Sequence, residues 1–158
     1  MPILTHYTNP QSRGRITHWM LEELGEPYDT VWLDYASTMQ APDFLAINPM
    51  GKVPALKHGD IVITEVAAIC TYLAARFPEK GLIPAADDPA LGTFYRWLYF
   101  AAGPLEQAIT VQSQGWEVKP EQEMTVGFGN YTKTIDTLKT ALEPGPHICG
   151  DQFTAADV

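Results

Sequence analysis

The sequence predicts an α/β domain followed by an all-helical domain. Over the first 77 residues of the 158-residue chain, short apolar runs of strand-like alternation take turns with runs of helical periodicity. From Pro89 onward the strand pattern disappears and apolar residues recur at helical spacing. The predicted bounds are 1–77 for the α/β domain, 78–88 for a proline-rich linker and 89–158 for the helical domain.

The α/β domain is predicted to begin with a β-α-β unit. Residues 3–7 alternate as a strand does, and 13–24 place their apolar residues on one helical face. Gly25 follows that face, as glycine commonly follows the end of a helix. Residues 28–33 read as the second strand.

A β-β-α unit is predicted to complete this domain. A short helix over 42–46 precedes strands over 53–57 and 61–63, which form a hairpin around Gly59. A helix with one apolar face then opens at Glu65. The order βαβ then ββα is that of a thioredoxin-like domain.

The helical domain is predicted to hold two helices and the entrance of a third. Pro104 is expected to kink or end the first, and 121–142 carry the second. Near the end of the chain, Thr154 and Asp157 have the spacing of a helix N-cap and its reciprocal acidic partner. A helix needs more than one turn to be stable, so we expect the chain to be a piece of a longer protein, with this domain incomplete.

Composition and charge argue against several functions. The net charge of −9 disfavours nucleic acid and anionic membrane surfaces as partners. No apolar run approaches the roughly 20 residues of a membrane helix, and the first residues carry no signal-peptide pattern. Cys70 and Cys149 lie far apart and form no metal-binding spacing. We therefore expect a cytoplasmic protein without a metal.

The run from Asn48 to Pro54, followed by Glu65, is the most informative motif. Only an X-Pro bond reaches the cis form cheaply, so the Val53–Pro54 bond at the mouth of a strand is predicted to be cis. That bend would leave the Val53 amide and carbonyl free for an extended peptide. The first amides of the Glu65 helix suit an anion, and its carboxylate suits an ammonium. A Val-Pro pair alone is typical of the ordinary start of a strand. Together with Glu65, it predicts a peptide-binding site.

These residues resemble the glutathione-binding half of the soluble, cytosolic-type glutathione S-transferases. In that family a Val-Pro pair holds the cysteinyl backbone of glutathione, and a Glu-Ser/Thr pair holds the γ-glutamyl end. The resemblance assigns these roles to Val53, Pro54, Glu65 and Val66. Val66 departs from the pattern because it has no hydroxyl. Losing one hydrogen bond to a charged group costs roughly 1.5 to 3 kcal/mol, so we expect weaker binding of glutathione.

The resemblance also implies an activity. It predicts a transferase that uses glutathione as co-substrate, activates its thiolate for attack on a small electrophile, and acts as a homodimer in detoxification. A glutathione-dependent peroxidase or reductase is one alternative. Position 12 holds a serine and not a cysteine, which weakens the version of this alternative that depends on thiol exchange. A non-catalytic interaction module of the same fold is another, and Val66 favours it.

Ser12 is the leading candidate for the catalytic residue. A glutathione enzyme must ionise a thiol whose unperturbed pKa is about 8.5, and a hydroxyl beside a helix N-terminus can stabilise the thiolate. Ser12 stands directly ahead of the first helix, and its segment resembles the serine-type, bacterial-like members. An N-cap serine without chemistry explains the position equally well. Tyr7, a strand-end phenol, and Asn9, an amide donor, are the alternatives.

Four more residues complete the predicted site. Gln40 and Lys52 flank the irregular segment before Val53 and are expected to reach the glycyl carboxylate, although either side chain is also consistent with a purely solvated position. Tyr99 and Trp116 are candidates for an apolar wall against the second substrate. Aromatic residues at helical spacing more often belong to a core.

Overall fold

The structure is a computed structural model that describes residues 4–158. Its strands are β1 (Leu4–Thr8), β2 (Tyr28–Trp32), β3 (Ala55–His58) and β4 (Ile61–Thr64). Its α-helices are α1 (Gly14–Leu24), α2 (Pro42–Leu45), α3 (Val66–Arg76), α4 (Ala90–Phe100), α5 (Glu106–Ser113) and α6 (Tyr131–Leu142). The predicted strand start at Ile3 lies outside the described residues.

The four strands form one mixed sheet in the order β2-β1-β3-β4. β1 pairs in parallel with β2, and both β1–β3 and β3–β4 are antiparallel. A parallel pair needs a crossover connection, which α1 supplies. The predicted βαβ-ββα order and the thioredoxin-like fold are confirmed.

Helix α1 forms where the apolar spacing predicts it. Met20, Leu21 and Leu24 on one face are buried. The helix ends at Gly25, which has a φ of 67° and donates its N–H to the Leu21 carbonyl at 3.1 Å. Glycine enters this left-handed conformation without the steric cost of a Cβ.

The contacts divide the chain into two compact units. One reaches to Leu82, and the other is Ile83–Asp157. The first contains the sheet with α1, α2 and α3, and the second contains α4, α5 and α6. The predicted domain and linker bounds stay a prediction.

In the second unit, Pro104 does not end its helix. Residues Ala101–Leu105 form a π-helical segment that connects α4 directly to α5. A wider turn accommodates a proline, which lacks the N–H of a regular α-helical bond and crowds the preceding turn. The helical spacing continues across the proline.

The predicted helix over 121–142 begins too early. Its first part is a 3-10 turn and irregular chain, and α6 begins only at Tyr131. Gly129 has a φ of 67° and interrupts a regular helix. Asn130 then caps α6, with its side-chain oxygen accepting the Lys133 N–H at 2.8 Å. A strong cap outweighs apolar spacing upstream of it.

The predicted N-cap pair near the end of the chain makes its side-chain bonds in both directions. The Thr154 Oγ1 accepts the Ala156 N–H at 3.3 Å. The Asp157 carboxylate accepts the Thr154 N–H at 2.9 Å, as in a capping box, and also accepts the Ile148 N–H at 2.7 Å. No helix follows within the residues described after Thr154.

Candidate active site

Three segments of the first unit meet at one edge of the sheet. We call residues 9–14, between β1 and α1, the serine loop, and residues 48–54, before β3, the cis-proline loop. The antiparallel register pairs Tyr7 with Ala55, so the end of β1 and the start of β3 share an edge. Ala55 also pairs with Thr64, which brings the start of α3 to that edge. The predicted peptide-binding residues of both loops and of α3 therefore lie at one edge.

Ser12 is held at the entrance of α1 by its own hydroxyl. Its Oγ donates to the Asn9 carbonyl at 2.7 Å and accepts the Gly14 N–H at 2.9 Å. The Asn9 carbonyl also accepts the Ser12 N–H at 3.0 Å. The hydroxyl therefore lies against Gly14, the first residue of α1, although the residue directly before the helix is Arg13. Because a serine hydroxyl has one proton, donation to a thiolate requires a rotation away from the Asn9 carbonyl.

Asn9 ties the serine loop to the neighbouring strand. Its side chain is only 8% exposed. Its Nδ2 donates to the carbonyl of Leu33, just after β2, at 2.7 Å, and its Oδ1 accepts the Gln11 N–H at 2.9 Å. Both hydrogen bonds are made to other residues of the protein, so the carboxamide serves to hold the serine loop in place.

Gly14 lets α1 approach the end of β1. A Cβ at this position would run into the Thr8 side chain and would lie 2.8 Å from the Ser12 Oγ. Real Cβ atoms do not approach oxygen that closely, so a larger residue would displace the serine hydroxyl.

A buried histidine lies beneath this helix start. His6 is fully buried, and its Nε2 lies 2.8 Å from the Thr17 Oγ1, which donates to the Gly14 carbonyl at 3.1 Å. Since the Thr17 proton is used there, His6 must donate through Nε2–H. The Nδ1 atom has no partner within residues 4–158. Burial, with His18 as the smaller cause, lowers the pKa of His6 to about 4, so the ring is neutral at pH 7.

The cis-proline loop presents backbone groups. The Val53–Pro54 bond is cis, as the sequence predicts. Asn48, 6% exposed, donates through Nδ2 to the Lys52 carbonyl at 2.7 Å and accepts the Met50 N–H at 3.1 Å. The Val53 amide and carbonyl form no backbone hydrogen bond in the described part of the chain. They are available to an extended ligand.

Gln40 and Lys52 differ in what they contact. The Gln40 Nε2 donates to the Gly51 carbonyl at 3.1 Å, so it braces the cis-proline loop. Gly51 has a φ of 59°, and a Cβ there would lie 2.5 Å from the Gln40 Nε2. The Lys52 side chain is exposed and forms no ion pair among residues 4–158. Its ammonium is available to a ligand carboxylate.

Glu65 is the one residue other than glycine with a positive φ in the described chain. Its φ of 69° and ψ of 125° place it directly before α3, which begins at Val66. No described side chain caps this helix, so its first amides remain open to a ligand. The exposed Glu65 carboxylate forms no ion pair with another described residue. Backbone strain of this kind costs of order 1–3 kcal/mol and clusters at functional sites.

Tyr7 belongs to the packing of the sheet. Its ring contacts Phe44 with centroids 5.8 Å apart and packs on the cluster formed with Leu33 and Met39. Alternation along β1 places it on the face opposite His6. The phenol makes no hydrogen bond to a described residue.

Tyr99 and Trp116 lie in the second unit, and only Trp116 lines its cleft. This cleft of about 1190 Å³ lies among α4, α5 and α6. Trp116 is 64% exposed there, near Trp97, over which Arg96 stacks at 4.7 Å. Tyr99 does not line the cleft and stacks on Tyr95 with centroids 6.2 Å apart.

Of the two cysteines, Cys70 is buried and Cys149 is half-buried. Cys70 is 1% exposed, and burial raises its pKa to about 12. Burial also raises the pKa of Cys149. No described cluster of His, Cys, Asp and Glu side chains could hold a metal ion. None of the described helices is long and apolar enough to cross a membrane.

Comparison with known proteins identifies the class of this domain. Residues 13–76 match the family described as glutathione S-transferase, N-terminal domain. Glutathione S-transferase GstA of Escherichia coli O157:H7 is 28% identical over 154 residues, which are 96% of this chain and 76% of that protein. Glutathione S-transferase 3 of Zea mays is 30% identical over 87% of this chain, which spans 66% of that relative.

Solved structures agree with this class. A glutathione transferase homologue from Sulfitobacter with bound glutathione has a TM-score of 0.73 and 30% identity, covering 99% of this chain and 78% of that one. A glutathione transferase from Methylococcus capsulatus str. Bath has a TM-score of 0.80 and 28% identity, covering 98% and 77%. This chain belongs to the glutathione S-transferase family, a family of transferase enzymes. The serine-type subclass stays a prediction.

Proposed function

We propose that this glutathione transferase binds its tripeptide across the serine loop, the cis-proline loop and the start of α3, and attacks a small electrophile with the glutathione thiolate. The observation that carries the proposal is the meeting of two complementary groups at one sheet edge. These are the unpaired backbone of Val53 and the uncapped α3 start beside Glu65. Glutathione bound in the Sulfitobacter homologue supports the choice of ligand.

Each part of the tripeptide has a proposed partner. The Val53 N–H and C=O pair with the cysteinyl backbone, as an added strand pairs with a sheet edge. The Val66 amide and its helix dipole hold the γ-glutamyl carboxylate, while Glu65 binds the adjacent ammonium. Lys52 reaches the glycyl carboxylate, and Gln40 supports this contact by bracing Gly51.

Ser12 is the proposed donor to the thiolate. Its Oγ accepts the Gly14 N–H at the positive end of α1, which polarises the hydroxyl and strengthens its own donation. Rotation toward sulfur leaves the Asn9 carbonyl with the Ser12 N–H, so no buried acceptor is left unpaired. Tyr7 is disfavoured because its ring packs against Phe44. Asn9 is disfavoured because its amide is bound to the Leu33 carbonyl.

The proposed reaction is a nucleophilic substitution or addition. The thiol proton leaves to solvent, the thiolate forms a C–S bond, and in substitution the leaving group departs with its electron pair. Tyr99 and Trp116 remain the proposed aromatic contacts for the electrophile. If they serve this role, Tyr99→Ala and Trp116→Ala should raise the KM for an aryl halide and leave the KM for glutathione unchanged.

We also propose that the protein works in the cytoplasm as a homodimer and serves detoxification. Membership of the glutathione S-transferase family supports all three statements. Light scattering on the purified protein tests the dimer: a mass of one chain at micromolar concentration would contradict it. Cell fractionation tests the compartment.

Retention on immobilised glutathione, followed by a thiol-consumption assay with an aryl halide, tests the proposed function. We expect retention and turnover. Ser12→Ala should keep retention and lose most turnover, whereas Ser113→Ala should change neither. Ser113 is a matched control because its exposed hydroxyl also donates to a backbone carbonyl, that of Thr110, at 3.0 Å.

Failure of this assay has two forms. Absence of both retention and turnover would contradict the enzyme and favour the non-catalytic module, for which the absent hydroxyl at Val66 also argues. Retention without turnover against any electrophile or peroxide would leave glutathione binding in place but contradict both glutathione-dependent activities. Turnover that survives Ser12→Ala would remove Ser12 from its role.

A further inference from the structure

Asn9 and Asn48 make the same pair of hydrogen bonds in two different loops. Both side chains are nearly buried, 8% and 6% exposed. Each Nδ2 donates to a carbonyl at 2.7 Å. Each Oδ1 accepts the N–H two residues further along, at 2.9 Å and 3.1 Å. The two residues are therefore a matched pair in chemistry, burial and local turn.

Their surroundings differ in two respects. The Asn48 amide reaches Lys52 within its own loop, whereas the Asn9 amide reaches Leu33, which lies 24 residues away and just after β2. Among residues 4–158, the Asn48 carbonyl accepts only a backbone amide, that of Gly51, at 2.9 Å. The Asn9 carbonyl accepts both the amide and the hydroxyl of Ser12. Of the two, Asn9 is the one that links a side-chain hydroxyl to a distant part of the chain, at the residue that follows β2.

We propose that Asn9 is the positioning residue for the Ser12 hydroxyl. Its carboxamide fixes the serine loop to the Leu33 carbonyl, and its own carbonyl holds the serine proton until the sulfur of glutathione replaces it. The inference rests on the proposed function, because it assumes that Ser12 meets the thiolate. Asn9 itself does not touch glutathione in this arrangement.

The geometry explains why the fixation matters. A carbonyl oxygen has two lone pairs, so the Asn9 carbonyl retains the Ser12 N–H when the hydroxyl turns away. The Gly14 N–H holds the Oγ from the other side, leaving rotation of the O–H bond as the remaining freedom. A loop released from Leu33 would let the whole hydroxyl move. A shift of about 1 Å in a reacting group can cost about 100-fold in rate.

The test compares Asn9→Ala and Asn9→Ser with Asn48→Ala in the intact protein. Three quantities are measured for each: the Kd for glutathione, the pKa of the bound thiol from the ultraviolet absorbance of its thiolate, and the kcat with an aryl halide. A serine at position 9 can still accept the Gln11 N–H, but it is too short to reach the Leu33 carbonyl. Asn48→Ala controls for the loss of the same two bonds.

We expect both Asn9 variants to lower kcat about tenfold and to raise the bound thiol pKa by about one unit, with the Kd within about twofold of wild type. Asn48→Ala should affect the other quantity: the Kd for glutathione should weaken several-fold, and the pKa of the bound thiol should not change. If Asn9→Ala does not fold, Asn9→Ser carries the test alone.

Two failures are distinguishable. If the wild-type protein binds no glutathione, the proposed function fails and this inference fails with it. If the wild type binds glutathione with a lowered thiol pKa, and the folded Asn9 variant keeps that pKa and kcat, the positioning role alone is overturned. The positioning role is also overturned if Asn48→Ala raises the thiol pKa as much as the Asn9 variant does, because the effect would then be general loosening.

Discussion

The serine loop and the cis-proline loop are built with the same devices, yet they offer a ligand different atoms. Each is held by a buried asparagine, Asn9 or Asn48. Each has a glycine, Gly14 or Gly51, at which an added Cβ would clash with neighbouring atoms. The serine loop presents a hydroxyl and a helix start, whereas the cis-proline loop presents free backbone groups. Thiol activation and peptide binding are therefore separable, and substitutions should divide between them.

Ser12→Ala should have the largest effect. It removes the one hydroxyl of the serine loop that can face the sulfur, and loss of a donor to developing negative charge costs about 100-fold or more in kcat. The Kd for glutathione should change little because the peptide-binding atoms are elsewhere. Steady-state kinetics beside Ser113→Ala measure this. A loss confined to the KM for glutathione would contradict the division between loops.

The glycine pair provides the second test. In Gly14→Ala the new Cβ collides with Thr8 and displaces the Ser12 Oγ, so kcat should fall about tenfold. In Gly51→Ala, strain at a φ of 59° and the clash with Gln40 should weaken glutathione binding by a similar factor. Kinetics on the two folded variants separate the effects. If both variants lose kcat alone, the two loops are not distinct in function.

Glu65→Gln should act on binding alone. The substitution keeps the side-chain shape but removes the charge that meets the glutathione ammonium. A hydrogen bond to a charged group contributes about 1.5–3 kcal/mol, so the Kd should weaken at least about tenfold, and the thiol pKa should stay constant. Calorimetric titration with glutathione measures the Kd. An unchanged Kd would place the γ-glutamyl end elsewhere.

Val66→Ser should tighten binding by a smaller factor. It adds a hydroxyl at the start of α3, beside the open amides that are proposed to hold the γ-glutamyl carboxylate. A neutral hydroxyl on a partly solvated anion adds about 1 kcal/mol, or roughly fivefold in Kd. Val66→Ala is the control, because it removes the valine branches without adding a hydroxyl. Equal affinities for the two variants would argue against a carboxylate at this position.

The smallest effect at neutral pH concerns His6, beneath the serine loop. Its folded-state pKa of about 4 lies below the 6.5 of an unfolded chain, so the unfolded state takes up a proton first as the pH falls. The stability that His6 contributes is complete above pH 6.5 and is lost as the pH falls to about 4. The loss reaches about 3 kcal/mol. Urea unfolding between pH 7.5 and 4.5 should show this slope, and His6→Gln should flatten it. Equal slopes would contradict the burial of a neutral ring.

Much of the fold could be predicted because it depends on local patterns. Alternation and helical spacing predicted the strands and α1, and Gly25 marked the end of that helix. The cis bond at Val53–Pro54 follows from the chemistry of proline. The start of α6 was missed because the apolar spacing extends upstream of Gly129 and Asn130, the residues that mark the true N-terminus of the helix.

The interior of the site could not be predicted in the same way. The bond from Asn9 to Leu33 joins residues 24 apart and depends on the pairing of β1 with β2. The two hydrogen bonds that connect His6 to Thr17 and Thr17 to the Gly14 carbonyl depend on how α1 packs on the sheet. The sequence offered Ser12 two roles, and only the structure shows its proton donated to the Asn9 carbonyl. The positive φ of Glu65 likewise has no signal in a residue that normally avoids it.

The pKa of the glutathione thiol bound to the wild-type protein tests most directly whether the serine loop activates the thiol. An unperturbed thiol titrates at about 8.5. We predict a bound value well below that, returning toward it in Ser12→Ala while the Kd for glutathione is retained. A bound thiol that titrates at its solution value, or a lowered value that survives Ser12→Ala, would contradict this role of the loop.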